Sequence, residues 1–177
     1  ALDYSLNAGF TLIECDILRD NTGRIILAHD YTNLYEVVQN GYTILQIEQM
    51  LIRIKAYKNV YMLIDVKWID DMDYATYIKE ICSSLRQVAK TEEEYNQLKA
   101  QIIMEVYDES TIQLAQAAGF DVFFTQYRNP NIYSYMDTVL LCEKYNIGVV
   151  GYDFEYIEKH KILISCFCNK NIKIFAF

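Results

Sequence analysis

Glu14 and Asp16 are separated by a single cysteine inside a β-rich run, so an extended backbone throws both carboxylates to one side and the Cys15 thiol to the other. Two anions on one buried face repel unless a cation joins them. Oxygen donors of this kind suit Mg²⁺ or Ca²⁺, with further positions left for water and a phosphate oxygen. A later apolar run, Leu63-Ile64-Asp65-Val66-Lys67, again places two polar side chains at spacing two. Asp65 can complete a carboxylate set, and Lys67 can neutralise a phosphate oxygen. Between these runs, Ala28-His29-Asp30 closes a short apolar stretch with an imidazole able to exchange protons near neutral pH.

Each feature also has a plainer reading. Glu14 or Asp16 could be exposed or paired with Arg19 or Arg24, His29 could be structural, and Asp65 with Lys67 could be a buried ion pair. Desolvation makes such a pair a poor stabiliser, which weakens the last of these. The chemical reading gains most from coincidence, because three successive strands deliver polar groups at the same end. In parallel α/β folds that end is where reactive groups gather.

The chain around these residues has 177 positions, 53% of them hydrophobic, enough for one sizeable core and one domain spanning 1–177. With 24 acidic against 16 basic residues, the net charge of -8 repels a polyanion, so nucleic acid is excluded as a general partner. A local acidic cluster can still hold a cation, and the cation can receive a small phosphodiester. The five cysteines are odd in number and sit in apolar runs, where free thiols act as small hydrophobes. Neither a basic-apolar leader nor an apolar run of about 18 residues is present, so no transmembrane segment is expected and a cytoplasmic location is the default.

Short β-rich runs at 11–17, 24–29, 60–67, 101–107, 121–126, 147–152 and 172–177 alternate with helical periods at 43–57, 73–98, 110–118, 131–145 and 155–169. This alternation predicts a parallel sheet covered by helices. Continuously apolar strands such as Tyr61-Met62-Leu63-Ile64 indicate burial on both faces. Thr43 with Gln46 reads as a capping box, Ser110 as an N-cap and Gly119 as a helix stop. Asn21-Thr22-Gly23 reads as a hairpin turn, and the charged run from Lys90 to Glu94 as an exposed face or a kink. No glycine-rich phosphate loop follows the first strand, which argues against a nucleotide-binding sheet.

The segment from Leu6 to Asp30, with Ala8-Gly9-Phe10, Ile13-Glu14-Cys15-Asp16, Asn21-Thr22-Gly23 and Ala28-His29-Asp30, resembles the glycerophosphodiester phosphodiesterases. These belong to the wider superfamily of phosphatidylinositol-specific phospholipase C-like enzymes. Ile64-Asp65-Val66-Lys67 matches the family's acidic-x-Lys strand, and weaker similarity covers nearly the whole chain. The resemblance implies an α/β TIM-type barrel with Glu14, Asp16 and Asp65 as ligands of a divalent metal ion, Mg²⁺ or Ca²⁺. It makes His29 one of two catalytic histidines and Lys67 a phosphate-binding group. It also implies a small phosphodiester or lipid head-group substrate, cleaved to a phosphomonoester and an alcohol. Asp65 stands where many relatives have Glu. The family's other histidine precedes the first strand read here, and His160 lies in a charged helical stretch. About seven strands of eight, in 177 residues against roughly 250 for a full barrel, imply a barrel lacking its first strand and truncated near its last. A barrel kept only for metal or ligand binding is the alternative. Glu105, Tyr107, Thr125, Tyr127 and Tyr152 are strand-end candidates for lining the pocket, and Trp68 is a candidate for covering the substrate.

Overall fold

The computed structural model describes residues 2–67, 73–126 and 134–177, so Trp68 and Tyr127 lie outside the described residues. Helix α1 (Leu2–Asn7) leads into β1 (Leu12–Arg19) and β2 (Ile25–Leu27), followed by α2 (Tyr31–Gln39) and α3 (Ile47–Ile54). Next come β3 (Tyr61–Val66), α4 (Tyr74–Val88), α5 (Glu92–Ala100), β4 (Ile102–Val106), α6 (Glu109–Ala117) and β5 (Asp121–Gln126). The chain ends with α7 (Tyr135–Lys144), β6 (Val149–Tyr152), α8 (Phe154–Lys159), α9 (Ile162–Cys168) and β7 (Lys173–Ala176). The strands form one sheet in the order β2-β1-β3-β4-β5-β6-β7, parallel throughout except for the antiparallel β1–β2 pair. This is the wall of a TIM-type barrel, open between β7 and the β2–β1 edge in the pairings of the described residues. No described helix is long and apolar enough to cross a membrane.

Strand alternation divides the wall into two faces. Met62, Ile64 and Val66 of β3, Met104 of β4, Phe124 of β5 and Val150 of β6 are buried in the main core under the helices. Ile47, Met50, Leu51 and Ile54 supply the α3 stripe at spacings of three and four, and Tyr74, Tyr77, Ile78, Ile81 and Leu85 supply that of α4. The opposite face carries Glu14, Asp16, Leu63, Asp65, Glu105, Phe123 and Thr125. Gly151 lies on that face, where a Cβ would stand 2.7 Å from the Phe123 ring. Phe123 in turn meets Phe175 edge to face at 5.7 Å.

Several expectations need correction. The second strand is antiparallel, in keeping with the hairpin turn at Asn21-Thr22-Gly23, so the parallel wall has six strands and not seven. The helix expected over 73–98 is two helices, because the Thr91 hydroxyl accepts from the Glu94 N–H and starts α5 afresh. The helix expected over 155–169 likewise breaks at His160 into α8 and α9. Asp108, not Ser110, caps α6, since its carboxylate accepts from the Thr111 N–H at 2.8 Å. Gln46 is the cap of α3, and its N–H donates to Gln49 Oε1, so Thr43 takes no part. Helices α1 and α2 lie outside the helical periods expected from sequence. Gly119 does end α6, at φ +81°.

The β1–β2 turn is locked by Asp20. Its carboxylate accepts from the backbone N–H and hydroxyl of Thr22 and from the backbone N–H and guanidinium of Arg24. Burial alone would raise the Asp20 carboxyl, but these hydrogen bonds override it and hold the group well below the usual carboxylate range. A carboxyl depressed in the folded state stabilises fully above its unfolded value, near 3.9, and loses that contribution as pH falls further. Asp20→Asn should therefore cost about 1–3 kcal/mol at neutral pH. In urea titrations the gap from wild type should narrow steadily as pH is lowered from about 5 toward 2; a gap independent of pH would show that the charge is irrelevant to the turn.

Candidate metal centre

The parallel β1–β3 register sets Asp16 directly beside Asp65, with Glu14 beside Leu63 two positions earlier. All three carboxylates belong to the inner face. Each offers one oxygen, and the three oxygens lie within 4.8 Å of one another. Ligands on one Ca²⁺ or Mg²⁺ stand 2.0–2.6 Å from the ion, so oxygens on opposite sides of it are separated by about 4–5 Å. The spacing and the hard oxygen donors fit a single such cation.

The charges around this cluster are balanced in a defined way. Lys67, just beyond the end of β3, puts Nζ 2.8 Å from Asp16 Oδ1 and also bonds Asp65 Oδ2. The Tyr107 hydroxyl donates to Asp65 Oδ1, so a carboxylate that is only 2% exposed has a donor on each oxygen. Burial would lower the Lys67 ammonium, but its hydrogen bonds to Asp16 and Asp65 and their charges carry it above its ordinary value. Glu14, the most exposed of the three, is raised by partial desolvation and then by the charges of Asp16 and Asp65, while Lys67 and His29 pull it back. That response is what a carboxylate waiting for another positive charge should show.

His29 reaches the cluster by an unexpected route. Because β2 runs back along β1, with Leu27 opposite Ile17, the residues after it return to the level of the carboxylates, and the Ala28 N–H donates to the Asp16 carbonyl at 3.1 Å. The strand-end rule thus places Asp16, Asp65 and Lys67, whereas the hairpin places His29. Its ring is exposed, with Nδ1 3.0 Å from Asp30 Oδ2. His160 is elsewhere, at the end of α8, exposed and stacked 4.2 Å from the Tyr156 ring.

Glu105 is one strand further along and 5% exposed. Burial first, and then the charge of Asp65, pushes its carboxyl up to about 7, against a modest pull from the Thr125 hydroxyl. Tyr107 was expected only as pocket lining; it is the anchor of Asp65. The signal for this was its position two residues beyond Glu105, which gives both side chains the same face. Tyr152 belongs to the other side, buried against Tyr156 and Phe167. Cys15 also faces away, with Sγ 3.7 Å from Met50 Sδ, as its place between the two acids predicts. A cavity of about 730 Å³ adjoins Glu14, Asp16 and His29 and is otherwise bordered largely by apolar side chains, including Leu2, Ile13 and Ile44. No sequence signal announced it, because its walls come from five separated segments.

No family model matches the chain, and no curated protein matches it by sequence. Its fold does match solved structures. A glycerophosphodiester phosphodiesterase from Parabacteroides distasonis superposes with TM-score 0.67 at 14% identity, over 99% of this chain and 74% of that one. One from Thermotoga maritima gives 0.61 at 14% identity, over 100% and 76%. One from Agrobacterium tumefaciens gives 0.62 at 12% identity, over 98% and 77%. The chain therefore has the fold of these phosphodiesterases, as its motifs led us to expect.

The raised Glu105 carboxyl has a consequence for stability. A carboxyl that keeps its proton in the folded state loses relative stability as pH rises from its ordinary value, 4.5, through about 7. In chelator-treated protein, Glu105→Gln should be more stable than wild type by on the order of 1–3 kcal/mol at pH near 8, with the difference fading toward pH 5. Denaturant melts across that range measure it, and a variant that is less stable at every pH would refute the burial argument.

Proposed function

We propose that the chain carries the site of a metal-dependent phosphodiesterase acting on glycerophosphodiesters or related lipid head-group phosphodiesters, releasing a phosphomonoester and an alcohol. The observation that supports this best is the convergence of Glu14, Asp16 and Asp65 within one cation's span on a fold shared with glycerophosphodiester phosphodiesterases. These three would hold Mg²⁺ or Ca²⁺. Such an ion, when bound, supplies Lewis acidity to a non-bridging phosphoryl oxygen.

The remaining groups have distinct tasks. Lys67 offers a positive charge to a second phosphoryl oxygen. His29, with Nδ1 engaged by Asp30, keeps Nε2 for moving a proton on or off an attacking or leaving hydroxyl. The same groups serve attack by water and attack by a neighbouring substrate hydroxyl through a cyclic phosphate. The second histidine implied by the family resemblance has no counterpart here, since His160 faces solvent on α8. Tyr107 fixes Asp65, and Glu105 with Thr125 lines the floor beside it. Trp68 follows Lys67 directly and is assigned to the substrate side by sequence position alone.

Turnover of glycerophosphocholine and of a bis-aryl phosphate, with Mg²⁺, Ca²⁺ or Mn²⁺ added, tests the reading in the longest native form of the protein. Glu14→Ala should lose metal affinity and activity together, each by at least about tenfold. His29→Ala should bind metal normally and lose about 10²-fold or more in turnover. Metal binding without any turnover in the native protein would instead favour a barrel retained for binding.

A further inference from the structure

Lys67 cannot at once neutralise the carboxylates and bind a phosphate beside a metal ion. We propose that it exchanges these tasks: its ammonium is the resident counter-ion of the carboxylate cluster, and an arriving divalent cation displaces it toward the phosphate. This rests on the metal reading of the cluster given above.

The geometry makes the competition direct. Nζ is held by Asp16 Oδ1 and Asp65 Oδ2, and both of these carboxylates belong to the three that converge. Both oxygens of Asp65 already carry a donor, Lys67 on Oδ2 and the Tyr107 hydroxyl on Oδ1. A cation seated about 2.0–2.6 Å from these carboxylates would have the ammonium as an immediate neighbour of like charge. One of the two must yield.

The side chain that yields is the one able to travel. The Lys67 main chain is pinned, with its N–H donating to the Ile17 carbonyl at 2.9 Å and its own carbonyl accepting from the Tyr77 hydroxyl at 3.5 Å. Its four-carbon stem is flexible and its three donors rotate freely, whereas an Asp on a buried strand has no such reach. Displacement leaves the ammonium beside the metal, where the phosphoryl oxygens not bound to the ion must lie. Phosphate binding is then conditional on metal: without it the Lys67 ammonium is already satisfied by Asp16 and Asp65. By linkage, the hold of the carboxylates on Lys67 weakens metal binding by the same factor that metal weakens their hold on Lys67.

Calorimetric titration of the chelator-treated full chain with CaCl₂, MgCl₂ and MnCl₂ tests this without reference to catalysis. Lys67→Met should bind metal about 5–150-fold more tightly than wild type, and Lys67→Arg, which keeps the charge, should not. Equal or weaker affinity in a Lys67→Met variant that melts cooperatively would overturn the exchange while leaving the metal site intact. Absence of metal binding in wild type and variants alike would overturn both. A second measurement needs no variant: acetylation of Lys67 by acetic anhydride, followed by mass spectrometry, should accelerate severalfold in wild type when Ca²⁺ saturates the site. A rate unchanged or slowed by Ca²⁺, with metal binding established, would equally refute it.

Discussion

Charge crowding at the carboxyl ends of β1 and β3 is the constraint around which the rest of the site is arranged. The parallel register that makes Asp16 a neighbour of Asp65 is fixed by apolar residues on the opposite face, where Ile17, Met62, Ile64 and Val66 are buried together. Sliding the strands by one residue would turn that apolar set toward the barrel interior, so hydrophobic burial enforces an arrangement that electrostatics alone would reject. Lys67 and Tyr107 are the local compensation, a charge and a hydroxyl placed where the two buried oxygens of Asp65 need them. A buried ion pair of this kind adds little net stability. Its retention makes more sense as a functional cost than as a structural gain.

The hairpin solves a different problem. A parallel strand following β1 would have needed a crossover of a dozen residues or more and would have delivered its end one strand position away. Instead β1 extends past the parallel wall to Arg19, turns through Asp20 and Gly23, and returns as β2 along its own edge. An imidazole two residues beyond the partner of Ile17 thereby borders the same cavity as Glu14 and Asp16. The turn at Asp20 is remote from the chemistry, yet its hydrogen bonds set where His29 arrives.

How much of this was legible depended on which force decides each feature. The parallel strands were readable because burial on both faces writes itself as unbroken apolar runs, and all seven runs expected from sequence contain a strand. The carboxylate triad was readable because spacing two on a strand fixes a face without any knowledge of tertiary structure. The sense of β2 was readable from the Asn21-Thr22-Gly23 hairpin turn, whereas the hydrogen bonds by which Asp20 locks that turn were not. The break at His160 was hidden because it interrupts a continuing helical pattern, and the break after Val88 was open, since the run from Lys90 to Glu94 suits an exposed face as well as a kink. Local capping by Thr91 decides the latter. The Tyr107–Asp65 bond joins residues 42 positions apart, and only the adjacency of β3 and β4 makes them partners.

The same division explains how a fold survives when identity to its structural neighbours has fallen to 12–14%. Positions on the helix-facing side must be apolar and of suitable volume, a condition that many combinations of Ile, Leu, Val, Met and Phe satisfy. They can drift together without moving the strands. Inner-face positions at the mouth are held by chemistry, where neither Asn for Asp nor Arg for Lys gives the same charge at the same reach. Asp65, where many relatives have the longer Glu, is informative in this respect. A shorter carboxylate draws its partners closer to the β3 backbone, and Lys67 and the Tyr107 hydroxyl both meet it there. The reach a short carboxylate lacks is thus met by the two side chains that surround it, and the cluster keeps the span of a single cation.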